Sequence, residues 1–279
     1  MWLSFIPVGV IAFLFIPNAL AIAQTAEEAA LLQGVNFIET RTYTDEENAV
    51  VLKLYEGLRV ADVSDGLDMV GLPETGLVDK SIHPAWKDAD SLKHRFCGIA
   101  LTVRYVPTQR LNRPGQNEDF DQWRGKWYRN FSSEAFTSII KPGNVIVIDD
   151  VEEADIGTIG SSNILGWYAR GAVGIVTDGS SRDTDEVAKE WVPLYLRHVG
   201  RGIRPGRNEL ESVNRPVVIG GVLVCPGDVV VADGDGIVVV PRAVAEKVAL
   251  YARNILDNDK ENRRKLYERL GIPLDQTVK

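Results

Sequence analysis

The chain has 279 residues, 45% of them hydrophobic and 25% charged. That is ordinary globular composition, with length enough for a sizeable core. The formal net charge of −8 argues against a nucleic-acid-binding surface, which would need a basic face.

The first residues stand apart. Trp2 to Ile16 is almost wholly apolar, and Ala21 and Ala23 give the small-x-small pattern of a cleavage site before Gln24. This predicts a signal peptide over 1–23, cleaved after Ala23, and a periplasmic or secreted mature protein. The alternative is an uncleaved anchor, but the run falls short of the ~20 clean apolar residues a span needs, so no stable membrane span is expected after cleavage. Residues 24–43 read as a polar leader, and 44–279 as a single domain. Cys97 and Cys225 each lie in an apolar run and read as two separate buried thiols. In an exported protein they could pair, but two cysteines are no disulfide framework. No Cys/His cluster has zinc spacing, and His83, His94 and His198 are scattered.

Thr44 to Gly57 carries a helix signature, with Thr44 as cap, acids in the first turn and Val50, Val51, Leu54 and Tyr55 at helical spacing. Val60 to Val70 reads as a second short helix with Ser64 or Asp65 near its start, and Gly71 to Asp88 as loop. His94 to Val106 alternates like a strand. From 107 to 131 the chain holds a polar loop and then Phe120, Trp123, Trp127, Tyr128 and Phe131. Aromatics so spaced are expected to pack a helix on the body or form an interface, with a ligand platform as the other reading. Ser133 to Ile140 follows as a short helix, Asn144 to Asp149 as a strand, and Asp155 to Arg170 as loop then helix. Gly171 to Glu186 opens as a strand, Ala172 to Thr177, and is expected to break into a turn at Asp178-Gly179-Ser180-Ser181. A short helix and the strand Pro193 to Val199 come next. This alternation predicts an α/β protein with parallel βαβ units. Arg215 to Pro241 contains three β-rich runs separated by Pro226-Gly227 and Gly234-Asp235-Gly236, which predict a small antiparallel sheet closing on the parallel unit. Arg242 to Leu270 reads as a long C-terminal helix.

The chemistry concentrates after the fourth of these strands. Arg182 is a natural fork for a carboxylate, and Asp183 beside it can hold a hard cation. The bland alternative makes Asp183 or Thr184 an ordinary N-cap. One βα unit earlier, Gly160, Ser161, Ser162 and Asn163 open a helix whose free N–H groups would suit an anion. If that loop lies beside Arg182, the two make a carboxylate cradle next to a metal. Arg201, Arg204 and Arg207 could hold an anionic substrate or could equally form ion pairs across a subunit interface. Asp228 and Asp233-Gly234-Asp235-Gly236 lack the rest of a calcium loop and read as turn chemistry.

These pieces resemble the RraA-like family, which includes class II pyruvate aldolases acting on 4-hydroxy-4-methyl-2-oxoglutarate and 4-carboxy-4-hydroxy-2-oxoadipate. The matching segments are ADVSDGLD at 61–68, GIALTV at 98–103, KPGNVIVID at 141–149, GAVGIVTDGSSRDTDE at 171–186 and VCPGDVVVADGDGIVVVP at 224–241. The resemblance covers roughly Val60 to Leu270. It implies a swivelling β/β/α domain assembled as homotrimers or homohexamers with sites between subunits. It implies that Arg182 holds a pyruvyl substrate, that Asp183 binds Mg²⁺ or Mn²⁺ largely through waters, and that Gly160–Asn163 offer backbone N–H groups. Glu186 would support the site, and Glu261 would reach into a neighbour's. The implied function is a metal-dependent lyase, an aldolase or decarboxylase of a 2-keto acid that releases pyruvate. The alternative is a non-catalytic binding or regulatory protein, as RraA itself inhibits a ribonuclease by contact. The leader, the aromatic insert and the RGIRPGRNE segment depart from the family pattern, and an exported member could act on a sugar-derived acid.

Overall fold

The computed structural model describes residues 19–151 and 155–279. Most of the expected signal peptide, residues 1–18, lies outside the described residues. The chain divides into two units, Met1–Glu39 and Thr40–Lys279. The first holds helix α1, Ala19–Gln33, which spans the expected cleavage position. No helix among the described residues is long and apolar enough to cross a membrane.

The second unit begins with α2, Asp45–Tyr55, held at its start by a reciprocal capping box between Thr44 and Glu47. Helix α3, Val60–Met69, covers the expected span, with Ser64 and Asp65 in its second turn. Its entry is fixed by the side chain of Asp62, which turns back to the Arg59 N–H and guanidinium. Strand β1, His83–Pro84, lies in the expected loop. Strand β2, Phe96–Pro107, is followed by the insert helix α4, Phe120–Asn130, and by a 3₁₀ turn at Ala135–Ile139. Then β3 (Asn144–Asp149), α5 (Ser161–Ala169), β4 (Ala172–Ser181), α6 (Thr184–Lys189) and β5 (Leu194–Val199) alternate as the sequence predicts.

Strands β2, β3, β4 and β5 are parallel neighbours, and β1 lines the outer edge of β5 antiparallel. The long β2 changes partners along its other edge. Its first half pairs antiparallel with β9 (Val229–Asp233), and its second half with β6 (Asn208–Val213). Strand β10, Gly236–Val240, closes the row against β9. The antiparallel closure expected after the parallel unit is therefore present, but it is richer than three runs. β6 is too polar to show a strand pattern. The run PVVIGGVLV is itself a hairpin, β7 (Val217–Ile219) and β8 (Val222–Val224). It turns at Gly220 and Gly221, whose φ of 51° and 81° are the left-handed pair a tight two-residue hairpin requires.

The period-2 alternation of the strands sorts the core into faces. Val145, Val147, Val176, Val230 and Ala232 point to the side covered by the β7–β8 hairpin. On the opposite side, Ile146, Ile148 and Ile175 meet Ile164, Trp167 and Val187 from α5 and α6. Val229, Val231, Val238 and Val240 meet α2, α3 and the C-terminal helix α7, Ala245–Leu270. α3 and α7 approach so closely at Gly66 that a Cβ there would lie 2.8 Å from the Val248 carbonyl oxygen. Cys97 and Cys225 are free and half-buried. Asp228 lies in a turn as expected, and Asp233 ends β9 with its side chain serving the turn that follows. Asp228 accepts from the Cys225 and Arg242 N–H groups, and Asp233 from those of Val60 and Asp235.

A two-arginine cavity at the ends of the parallel strands

The expected turn at Asp178-Gly179-Ser180-Ser181 is instead strand. The β4–β5 register shifts between Thr177 and Ser180, after which Ser180 and Ser181 pair with His198 and Val199. The two serines are buried because their hydroxyls have fixed acceptors. Ser180 Oγ donates to the Ile156 carbonyl at 2.8 Å, and Ser181 Oγ to that of Ile159 at 2.9 Å. The Arg182 N–H reaches the same Ile159 carbonyl at 2.9 Å. These bonds fasten the loop before α5 against the end of β4. They bring Gly157, Gly160 and Asn163 beside Arg182, as the sequence reading requires for a cradle.

The packing is tight enough to dictate glycine. A Cβ on Gly157 would lie 2.8 Å from Arg182 Cβ, and one on Gly160 only 2.5 Å from Asp183 Oδ2. Asp183 sits at the N-cap position of α6 with φ 58°, a left-handed conformation that costs a non-glycine residue on the order of 1 kcal/mol or more. Its carboxylate accepts no cap hydrogen bond. It stands 3.8 Å from Arg182 Nε and is 44% exposed. The bland cap reading thus fits the position but not the side chain.

Arg182 Nε is buried and has no hydrogen-bond partner among the described residues. Arg182 lines a cavity of about 350 Å³ together with Gly157, Thr158, Gly160 and Asn163. The other wall was not legible in the sequence. It comes from the segment after α4, with Tyr128, Ser132, Ser133 and Glu134, and from Arg204. The insert helix packs as expected, with Trp123 and Trp127 buried. Trp127 Nε1 donates to the Asn208 carbonyl at 3.0 Å, and this seats Tyr128 over the cavity.

Of the three arginines left open between substrate and interface, only Arg204 joins the cavity. It is 4% exposed. Its guanidinium donates to Glu134 Oε1 and, at 3.1 Å, to the Tyr105 hydroxyl, and it lies 5.2 Å from the Tyr128 ring centre. Its Nε, like that of Arg182, is buried without a partner. Arg201 instead pairs with exposed Asp155, and Arg207 donates to the Ile203 carbonyl. Glu134 also accepts from Asn163 Nδ2 and from Trp167 Nε1 at 3.1 Å. The Asn163 amide is thereby oriented with Oδ1 toward the Gly160 N–H, 3.3 Å away. Two of the four expected loop donors are then engaged internally, since the Asn163 N–H also bonds to the Gly160 carbonyl. Ser161 and Ser162, in the first turn of α5, keep N–H groups that have no acceptor within the helix, but neither residue lines the cavity.

Below the cavity lies a buried polar layer. Asn208 Nδ2 donates to Asp150 Oδ1 at 3.0 Å and contacts Thr158 Oγ1 at 3.3 Å, while Ser132 Oγ donates to Asn208 Oδ1 at 2.9 Å. Burial pushes the Asp150 carboxyl above the usual carboxylate range, against the bonds from Thr158 and Asn208. Glu186 lies one turn past Asp183 on α6 and is exposed. Glu261 is on α7, ion-paired with Lys265 at 2.6 Å, and does not line the cavity. Among the described residues no three His, Cys, Asp or Glu side chains are grouped to cage a metal.

Relatives share this architecture. A crystal structure of an uncharacterized protein from Pseudomonas syringae pv. tomato is 30% identical with a TM-score of 0.60, covering 83% of this chain and 98% of its own. RraAS2 of Streptomyces coelicolor, described as an unusual member of the RNase ES inhibitor RraA protein family, superposes with a TM-score of 0.61 at 22% identity, over 81% of this chain and 99% of its own. Among curated sequences, protein DlpA of Legionella pneumophila is 26% identical over 190 residues, 67% of this chain. A protein of Halalkalibacterium halodurans named "Putative 4-hydroxy-4-methyl-2-oxoglutarate aldolase" is 31% identical over 124 residues, 44% of this chain. The matches span 27% and 58% of those two relatives' lengths. The family model described as RraA-like, Aldolase/RraA, matches residues 60–239, a span that holds β1 to β9, all but the last residue of β10 and both walls of the cavity, and the chain therefore belongs to the RraA-like family.

Proposed function

We propose that the chain is a divalent-metal-dependent lyase that cleaves a carbon–carbon bond of a 2-keto acid, by retro-aldol cleavage or decarboxylation, and releases pyruvate. The observation that carries this is Arg182. It is a cation in a cavity at the carboxyl ends of parallel strands, its Nε–H buried and without a hydrogen-bond partner among the described residues, beside an aspartate whose carboxylate makes no cap hydrogen bond. α/β sheets bind ligands at this end, and relatives carrying the aldolase name support the reaction class.

The donor set fits a water-rich cation. Mg²⁺ keeps several waters and needs only one or two protein carboxylates, and Asp183 offers one that is half-exposed and uncapped. When bound there, Mg²⁺ or Mn²⁺ would act as a Lewis acid toward the 2-keto group. The chain's own residues do the rest. Arg182 holds the substrate carboxylate and places fixed positive charge where negative charge develops as the C3–C4 bond breaks. Gly157 and Gly160 leave the room that the Arg182 and Asp183 side chains occupy. The buried wall of Thr158, Ser132 and Asn208 limits water on that side.

Export, an assembly of three or six copies, and a Glu261 contribution to a neighbouring copy's site belong to the same proposal. Glu261 meets no cavity residue of its own chain, so a role there requires a second copy. The test is pyruvate release from 4-hydroxy-2-keto acids and from oxaloacetate, with Mg²⁺ and with a chelator. Metal-dependent release by the wild type and its loss in Arg182→Ala are expected. Equal inertness of both proteins toward every substrate would remove the proposal.

A further inference from the structure

The two arginines of the cavity differ in how their charge is met. Arg182 keeps a buried Nε with no hydrogen-bond partner among the described residues, and its ion pair with Asp183 is a loose 3.8 Å contact. The charge of Arg204 is already matched. Glu134 accepts from its guanidinium, Tyr105 takes a second N–H, and Tyr128 lies over it. Its Nε, by contrast, is buried with no hydrogen-bond partner among the described residues. Tyr128 and half-buried Ser133 line the same cavity. A second substrate carboxylate placed here would face the Glu134 carboxylate across a single guanidinium, in a site where Arg204 is 5% exposed and Glu134 20%. Like charges so close and so little solvated repel. A neutral hydroxyl oxygen has no such conflict and completes the Nε–H.

Resting on the lyase function proposed above, we infer that Arg204, neutralised by Glu134, is the specificity-determining residue of the cavity and selects a monoanionic, polyhydroxylated 4-hydroxy-2-keto acid over a dicarboxylic one. The acid's single carboxylate lies at Arg182, and a hydroxyl of its far end accepts from Arg204 Nε. In the cleavage, the C4 hydroxyl gives its proton to a water in the cavity, the C3–C4 bond breaks with its electron pair passing into the enolate of pyruvate, and C4 leaves as an aldehyde. The same water returns the proton to C3, which becomes the methyl group of pyruvate. The cavity, at about 350 Å³, has room for a six-carbon acid of this kind. Hydroxyl-rich walls with one aromatic face suit a sugar-like chain, since a site built to hydrogen-bond a hydroxyl discriminates strongly against an analogue lacking it.

The test is a comparison of kcat/KM for a 3-deoxy-2-keto six-carbon sugar acid and for 4-hydroxy-4-methyl-2-oxoglutarate, with Mg²⁺, in the wild type and in Glu134→Gln. The wild type is expected to favour the sugar acid by about tenfold or more, a ratio that hydrogen-bond and charge discrimination at one buried contact readily gives. Glu134→Gln leaves Arg204 with unmatched charge and is expected to move the ratio toward the dicarboxylate by about tenfold. The wild-type comparison needs no variant, so a poorly folding Glu134→Gln does not blunt it. A wild type that turns over the dicarboxylate better than the sugar acid overturns the specificity and leaves the lyase reading intact. A ratio unchanged in folded Glu134→Gln overturns the role of the pair. Inertness toward both acids removes the lyase reading and this inference with it.

Discussion

Arg182 and Arg204 line one cavity, each with a buried, unpartnered Nε, yet they are built for different tasks. Arg182 rests on a glycine, is 38% exposed, and has only a 3.8 Å contact to Asp183. Arg204 is nearly sealed and is fixed by Glu134, Tyr105 and two aromatic rings. An arginine held only by a loose, solvent-exposed ion pair can receive an anion, whereas a matched and buried one holds the wall together and reads geometry. Neighbours, rather than residue type, assign the roles.

That contrast can be broken by truncating each arginine in turn. Arg204→Ala leaves Glu134 buried without its cation and is expected to cost about 3–5 kcal/mol of stability, seen as a lowered urea midpoint. Arg182→Ala should barely move the midpoint, yet it should lower kcat/KM for pyruvate release by about 10²–10³-fold. The opposite pattern, a stability loss at Arg182 and an activity loss alone at Arg204, would reverse the assignment. A smaller effect is expected at Gly160. A Cβ there meets Asp183 Oδ2 at 2.5 Å, so Gly160→Ala should displace the carboxylate and raise the Mg²⁺ concentration needed for half-maximal activity by about tenfold. An unchanged Mg²⁺ titration would separate Asp183 from the cation.

The smallest effect concerns the layer beneath Arg204. Burial raises the Asp150 carboxyl above its unfolded value, so the native state binds that proton more tightly than the unfolded chain. The contribution to stability is full below the ordinary carboxylate value of about 4 and is lost as pH rises through the folded value. Urea midpoints of the wild type relative to Asp150→Asn should therefore fall as pH rises from acid toward neutral. A gap that stays flat or widens with pH would contradict the burial of Asp150 in the native state.

Much of this was legible in the sequence, and what was not has physical causes. The β3–α5–β4–α6–β5 alternation and the long α7 carry strong periodicity, and both emerge where expected. Arg182, Asp183, Gly160 and Asn163 come together because glycine-rich strand ends are where backbone and side chain can meet. In the sequence alone, the serines at 180 and 181 read as a turn. Their small polar side chains mimic turn chemistry until the carbonyls of Ile156 and Ile159 are seen to bond them. The second wall was invisible because Glu134 and Arg204 are 70 residues apart, and no local pattern pairs them. Its signal was present only as an anomaly, an aromatic insert and an arginine-rich loop with no local purpose. The strand β6 was missed because its alternation is polar.

The central claim is that Arg182 and Asp183 form one site for a keto acid and a cation. Calorimetric titration with oxalate, a planar mimic of the pyruvate enolate, tests it most directly. Oxalate is expected to bind the wild type with Mg²⁺ present, to lose that binding in Arg182→Ala, and to lose the Mg²⁺ dependence in Asp183→Asn. Binding that is equal in all three proteins, or indifferent to Mg²⁺ in the wild type, would contradict it.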